Sequence, residues 1–133
     1  MAKKKTDDDE LFAAGILQHL AAYRHACSLV ARGKAADADA DRLSAAGLAN
    51  RKRGEQLRAR SIASAALGKP ADALKSEGDS LYGGGTTARR EAATAKTAAQ
   101  TAVVDGQRAK ERAERGLQNA IRQTLDQIEK AFG

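Results

Sequence analysis

The stretch KSEGDSLYGGGTTARRE, residues 75–91, is the sharpest interruption in a chain whose other segments have helical spacing. Glycine adopts positive φ without steric cost, and threonine caps helix N-termini, so this composition predicts a turn between two helices. A phosphate-binding loop would need a preceding strand and a Lys after its last glycine, and the stretch has neither. We therefore predict that the chain reverses over residues 78–86. The corner residues are Gly78, Gly83, Gly84, Gly85 and Thr86.

The composition indicates an all-α protein with a thin core. The chain has 133 residues, enough for one domain; aromatic residues make up 3%, and its one proline is Pro70. Runs of Val, Ile, Tyr and Phe, which are typical of strands, are missing. Each buried alanine contributes far less than the roughly 1.5–3 kcal/mol of a buried Leu or Phe. We therefore predict an elongated helical hairpin of long alanine-rich helices, assembled from several copies into a ring or tube.

Helical spacing and capping residues divide the chain into segments. A disordered basic N-terminus is predicted at residues 1–6, followed by a single helical domain at 7–133. Gly33 is expected to end the first helix, and Gly68-Lys69-Pro70 interrupts or kinks the second. The predicted helices cover about 7–32, 35–67, 70–77 and 87–131, with the glycine corner at 78–86.

Each long helix carries a stripe with a spacing of three or four residues, which is typical of one buried helical face. In the first helix the stripe is Phe12, Ile16, Leu20, Tyr23, Cys27 and Val30. In the second it contains small residues that allow close approach of another helix: Leu43, Gly47, Asn50, Gly54, Leu57 and Ser61. In the last helix the predicted packing stripe is Ala95, Ala99, Ala102, Gly106, Ala109, Ala113, Leu117, Ile121, Leu125 and Ile128.

Charge is the feature that bears most directly on partners. The formal net charge is +6 and the isoelectric point is about 9.7, a balance that favours nucleic acid or an anionic membrane surface as neighbours. A basic belt lies in the second helix: Arg51, Lys52, Arg53, Arg58 and Arg60. The belt either faces double-stranded DNA or a partner protein, or it is a solvated helix face with i,i+4 pairs. The scarcity of aromatic residues argues against single-strand binding by base stacking.

No set of residues in the sequence indicates catalysis, a metal site or a cofactor, and we predict that the chain is not an enzyme. His19, Tyr23 and Cys27 share one helix face, but this is also the apolar stripe, so packing is the favoured interpretation. Three aspartates resemble the start of a calcium loop but lack its later Gly and Glu: Asp37, Asp39 and Asp41. The single cysteine excludes an internal disulfide, and the polar N-terminus predicts neither a signal peptide nor a spanning helix.

The segment around the predicted corner resembles a phage protein family. Residues 68–78, GKPADALKSEG, and the Gly-Gly-Gly-Thr run at 83–86 are similar to the short internal virion proteins, or ejection proteins, of podovirus-type tailed bacteriophages. In that family a helix rich in Ala, Arg and Gln leads into an A-x-x-A-x-x-S-G pattern, a glycine/serine turn and a second alanine-rich helix. The similarity extends from about Leu57 to Gln118. The chain departs from the pattern by Ser-Glu-Gly in place of Ser-Gly and by lacking a strongly apolar segment near its N-terminus.

The resemblance implies a structural virion protein that is made in the host cytoplasm and packaged in the virion. After ejection it would form part of an oligomeric conduit for genome delivery across the host cell envelope, in the periplasm or outer membrane. The implied partners are further copies of the chain, other virion or ejection proteins, double-stranded DNA passing without sequence specificity, and the host envelope membrane. Two other functions stay open: a basic helical DNA-binding protein of the nucleoid type, acting as a dimer, and a helical adaptor or chaperone.

Overall fold

The computed structural model describes the backbone of residues 2–132 and the side chains of residues 15–132. Two helices make up nearly all of it: α1 is Ala2–Ala66 and α2 is Asp72–Phe132. They pack against each other as an antiparallel hairpin, and the described residues include no strand. The all-α class and the helical hairpin that the sequence predicts are confirmed.

A Schellman cap centred on Gly68 ends α1. Gly68 has a φ of 72°, in the left-handed region that glycine occupies without strain. Its N–H donates to the carbonyl of Ala65 at 3.0 Å, and the N–H of Lys69 donates to the carbonyl of Ser64 at 2.9 Å. These two bonds satisfy carbonyls that the end of a helix leaves without partners. Pro70 follows, a residue that is common just beyond such a cap because it cannot continue the helix.

The start of α2 is tied directly to the end of α1. The N–H of Lys75 donates to the carbonyl of Ala71 at 3.0 Å, which is the first helical bond of the new helix. The hydroxyl of the buried Ser61 donates to the same carbonyl at 3.1 Å. One oxygen therefore connects both helices, and the chain reverses over the short segment at 67–71.

The hairpin corner predicted at residues 78–86 is wrong, because these residues lie inside α2. Glycine in a helix interior costs about 1 kcal/mol relative to alanine, which weakens a helix but does not end it. An end also needs a residue that leaves helical φ/ψ, and Gly68 is the only residue with positive φ in the described part of the chain. The reversal therefore occurs at the predicted Gly68-Lys69-Pro70 interruption.

Other predicted boundaries also require correction. α1 continues through Gly33 without a break, and the separate helix predicted at 70–77 is the beginning of α2. Of the N-terminal segment predicted as disordered, residues 2–6 belong to α1, and Met1 lies outside the described residues. The physical reason is that the segments around these sites are rich in good helix formers such as Ala, Lys and Arg.

The helices meet along a line of small residues, which we call the seam. Its buried positions recur every seven residues, the period of a coiled coil, but glycine and alanine occupy places where coiled coils have Leu or Ile. In α1 the seam residues are Ala26, Gly33, Ala40, Gly47, Gly54 and Ser61. In α2 they are Gly78, Gly85, Ala92, Ala99, Gly106 and Ala113.

Two glycine pairs show how closely the backbones approach. A Cβ placed on Gly47 would lie 2.8 Å from the carbonyl oxygen of Gly85, and one on Gly54 would lie 2.7 Å from that of Gly78. Real Cβ atoms do not approach carbonyl oxygens this closely, so both pairs require glycine. From the first pair to the second, the chain advances seven residues in α1 and goes back seven residues in α2. This correspondence sets the antiparallel register.

The chain divides into two compact units by its contacts. One unit comprises residues 34–100 and contains the reversal and both glycine pairs. The other comprises residues 1–33 together with 101–133. There the seam glycine Gly106 faces α1, and a Cβ on it would lie 2.9 Å from Cγ2 of Val30. Each unit therefore contains its own close contact between the two helices.

Candidate functional site

The five residues of the basic belt lie in two different environments. Arg51 and Arg58 are half-buried where α1 contacts Tyr82 of α2. The other three are exposed: Lys52, Arg53 and Arg60. The belt predicted as one surface is therefore divided, and only three of its five members are exposed to a partner.

Tyr82 is enclosed by the two half-buried arginines. The guanidinium carbon of Arg51 lies 4.9 Å from the ring centroid, and that of Arg58 lies 4.3 Å from it. Arg51 Nη2 donates to the tyrosine hydroxyl at 2.9 Å, and Arg58 Nε donates to Asp79 Oδ1 at 2.6 Å. Cation–π contacts of this kind are worth about 0.5–1 kcal/mol each at exposed sites. Both arginines therefore help to hold α1 against α2.

The position of Tyr82 follows from the small residues of the seam. A Cβ on Gly54 would lie 2.7 Å from the backbone nitrogen of Tyr82 and 3.0 Å from its Cβ. A larger residue at position 54 would push this part of α2 away and open the space between the ring and the arginines. In the native structure, the aliphatic parts of Arg51 and Arg58 cover the seam from the side. They compensate for the lack of large apolar side chains in the seam.

A second polar contact joins the helices at Lys96. Lys96 Nζ lies 2.6 Å from Asp41 Oδ1 and 3.3 Å from Asp37 Oδ1. The hydrogen bond to Asp41, followed by that to Asp37, raises the pKa of Lys96 above its usual value. The contact of Lys96 with Asp37 Oδ1 is longer and less well aligned than its contact with Asp41. The aspartates that resemble a calcium loop therefore include two that pair with a lysine.

The face predicted from His19, Tyr23 and Cys27 is half-buried. The ammonium group of Lys110 lies 5.6 Å from the centroid of the Tyr23 ring. A Cβ on Gly116 would lie 2.5 Å from His19 Nδ1, so a glycine leaves room for the imidazole. Cys27 is a free thiol. Two of these three side chains thus contact α2.

The residues predicted to form the corner have separate positions on α2. Gly78 and Gly85 are buried in the seam, whereas Gly83 and Gly84 are exposed and have no atom within 4 Å of where a Cβ would lie. Thr86 Oγ1 donates to the carbonyl of Tyr82 at 3.1 Å, one helical turn back. Nothing in the hairpin explains why positions 83 and 84 are glycine.

The predicted packing stripe of the last helix coincides only partly with the seam. Three of its members are buried: Ala99, Gly106 and Ala113. Ala109 and Leu117 are half-buried. The rest are exposed and do not belong to the hairpin interior: Ala95, Ala102, Ile121, Leu125 and Ile128. The prediction took every residue at a spacing of three or four along one helix face as buried. The structure instead buries one small residue in every seven.

The α1 stripes differ from the structure in a similar way. The buried Ala26 was not among the predicted residues of the first stripe, whose described members are only half-buried. Phe12 lies outside the residues with described side chains. In the second stripe Leu43 and Asn50 are exposed, whereas Gly47, Gly54, Leu57 and Ser61 are buried.

Many large apolar side chains lie on the outside of the hairpin. No large side chain is fully buried among those described. The exposed large apolar residues are Leu17, Leu43, Leu48, Ile62, Leu67, Val104, Ile121, Leu125, Ile128 and Phe132. A pair of helices with a glycine and alanine interior therefore presents ten large apolar side chains of the described residues to its surroundings.

Sequence reasoning missed the residues that flank the seam. Tyr82, Asp79 and Lys96 make polar contacts between the helices, and none of them was a candidate. The seven-residue repeat of glycine and alanine in both halves of the chain is the signal that could have located them. When the repeat of α1 is aligned antiparallel to the repeat of α2, the residues next to each small residue are the ones that contact the other helix.

Among the side chains at 15–132, no three of the His, Cys, Asp and Glu type lie together so that they could hold a metal ion. In the same part of the chain, neither helix has a stretch that is apolar enough to cross a bilayer. Comparison with protein-family models, curated proteins and solved structures found no match.

Proposed function

We propose that the chain is a structural phage virion protein, ejected into the host to form part of an oligomeric conduit for genome delivery across the cell envelope. The observation that supports a subunit of an assembly is the distribution of apolar side chains. The seam buries glycine and alanine, whereas ten large apolar side chains of the described residues are exposed. The phage context rests on the resemblance of residues 68–86 to ejection proteins.

Energetics favours association of such hairpins. A fully buried Leu or Ile contributes about 1.5–3 kcal/mol, and the seam contains no such residue except Leu57 beside it. Exposed residues such as Leu48 and Ile62, which are 40% and 73% exposed, would add stabilisation only on contact with another molecule. Packing between copies is the simplest source of that contact, because every copy carries the same surface.

The exposed part of the basic belt would contact the phosphates of the DNA. Copies arranged around an axis would present Lys52, Arg53 and Arg60 repeatedly, and such an array attracts phosphates without reading bases. This suits DNA that passes through without sequence specificity. Other virion proteins and the host envelope membrane are the further partners that the resemblance implies.

Native mass spectrometry of the purified chain, alone and in detergent, tests the conduit. We expect a discrete oligomer of many copies in at least one of the two conditions, because a ring closes at a fixed number of subunits. A monomer or dimer in both conditions, at the highest accessible concentration, would contradict the conduit.

A basic helical DNA-binding protein of the nucleoid type is the second candidate, and the same three exposed cations support it. The test is titration of duplex DNA with the wild-type chain and with the triple variant Lys52→Gln, Arg53→Gln, Arg60→Gln over a range of salt concentrations. We expect the variant to lower the slope of log K against log salt by up to about 1 per removed phosphate contact. The matched control removes three exposed arginines elsewhere: Arg108→Gln, Arg112→Gln and Arg115→Gln. If both triple variants lowered this slope equally, DNA would be bound by non-specific charge attraction and not by the belt.

A further inference from the structure

The last part of α2 carries a row of apolar side chains that the hairpin leaves open. Its members are spaced by four, three and four residues and are 43%, 59%, 49% and 89% exposed: Ile121, Leu125, Ile128 and Phe132. We call them the C-terminal row. They lie about 80–140° around the helix from Ala120, the half-buried residue that continues the seam repeat. The row therefore points away from the seam.

The spacing of the C-terminal row is that of the a and d positions of a coiled coil. The preceding position of this pattern, three residues before Ile121, is the polar Gln118. The apolar pattern is therefore confined to the end of the helix. Charged side chains border the row, and an open groove lies along it. The groove is lined by Arg122, Leu125, Asp126, Ile128, Glu129 and Phe132.

We propose that the C-terminal row is the interface at which two copies of this chain pair through an antiparallel two-fold contact. In this arrangement Leu125 packs against Ile128 of the partner subunit, and Ile121 packs against Phe132 of the partner subunit. Each contact occurs twice because of the two-fold symmetry. The arrangement covers all four side chains with the same four side chains of the second copy.

Charge selects both the occupant and the direction of the pairing. With the row at a and d, Arg122 and Glu129 occupy e positions, and Thr124 and Ala131 occupy g positions. In an antiparallel pair e faces e, so Arg122 lies beside Glu129 of the partner subunit, and the reciprocal pair forms as well. In a parallel pair e faces g, and each charge then faces an uncharged residue. Of the two directions of self-pairing, therefore, only the antiparallel one joins opposite charges on the border of the apolar row.

The interface is independent of the conduit. A two-fold contact closes on itself and forms dimers, so a ring or tube would need a second surface in addition. A dimer without larger oligomers would thus support the C-terminal interface and contradict the conduit. Four side chains per copy make a small interface of the weakly associating class, so the measurement requires protein at about 100 µM.

A charge-reversal cycle, followed by analytical ultracentrifugation of the full chain, tests the proposal. Arg122→Glu and Glu129→Arg each place like charges opposite each other at both ends of the interface. We expect each single variant to weaken the dimer about 5–30-fold. The double variant exchanges the charges within each pair, and we expect its dissociation constant to return to within about threefold of wild type.

Apolar variants provide the second arm of the experiment. Leu125→Asp should weaken the dimer by about 100-fold or more, whereas Gln123→Asp, at an exposed polar site on the opposite side of α2 from the row, should leave it unchanged. Circular dichroism would confirm that each variant keeps its helical content. A monomeric wild-type chain, a dimer that persists in Leu125→Asp, or a double variant as weak as the singles would overturn the proposal.

Discussion

Helical glycines of this chain differ in what lies opposite them, and this decides their effect on stability. Four would place a Cβ within 3.0 Å of a backbone atom across the seam: Gly47, Gly54, Gly78 and Gly85. Gly83 and Gly84 are next to Gly85 in the sequence but have open space where a Cβ would lie. A single methyl group therefore has opposite consequences at neighbouring positions.

Alanine substitutions at positions 84 and 85 test this difference. Gly84→Ala should raise the free energy of unfolding by about 1 kcal/mol, because alanine is the better helix former and meets no atom. Gly85→Ala should lower it by about 1–3 kcal/mol, because its Cβ would collide with the carbonyl oxygen of Gly47. Urea denaturation followed by circular dichroism measures both. If Gly85→Ala were as stable as Gly84→Ala, the close approach of the helices would be disproved.

The two arginines of the belt at Tyr82 show how a charged residue can serve the fold. Arg51 and Arg58 were predicted as part of a DNA- or partner-facing surface, and the structure places both against the tyrosine ring. Charge and spacing along one helix identify a basic cluster. They do not reveal that an aromatic ring on the other helix lies within 5 Å of its members.

Both helices, considered as elements, continue past isolated weak positions, and α1 ends at a cap. α1 passes through Gly33, Gly47 and Gly54, and α2 passes through a run of three glycines. α1 ends only where Gly68 leaves helical geometry and Pro70 follows. The end of α1 therefore depends on one residue with positive φ.

Substitution of Gly68 tests this dependence. Gly68→Ala should lower the free energy of unfolding by about 1–2 kcal/mol, because an L-residue with a Cβ is strained at a φ of 72°. Gly68→Asn is the matched control, since asparagine tolerates this conformation. It should lower the free energy of unfolding clearly less than Gly68→Ala. The measurement is chemical denaturation of both variants. Equal loss for Ala and Asn would show that conformation at position 68 is not the cause.

At the scale of the whole molecule, the buried residues are mainly small ones, whereas a usual globular core buries large apolar residues. Among the described residues, ten large apolar side chains are exposed. Small domains with thin cores commonly gain stability by association. The distribution is consistent with a chain whose folded state is strengthened by contact with other molecules.

The thermal stability of the chain should therefore depend on its concentration. Over roughly 2 to 200 µM we expect Tm to rise with concentration, because association binds the folded state and not the unfolded state. Scanning calorimetry in a dilution series measures the effect, and Leu125→Asp should reduce it. A Tm that is constant over this range would contradict association of the folded chain.

The sequence by itself determined the helical class, the presence of long helices and the interruption at Gly68-Lys69-Pro70. These features depend on local propensity and capping, which act over a few residues and are legible in one segment at a time. The same local reasoning placed the corner at 78–86, because a run of glycines has the composition of a turn.

Only the tertiary structure decided which glycines bend the chain and which ones lie in a helix. At Gly78 and Gly85 the backbone of α1 occupies the space that a side chain would need, and that backbone is distant in sequence. The same holds for the register of the seam and for the arginines at Tyr82. Packing between segments that are far apart in the chain compensates the low helix propensity of glycine, and no single segment contains that information.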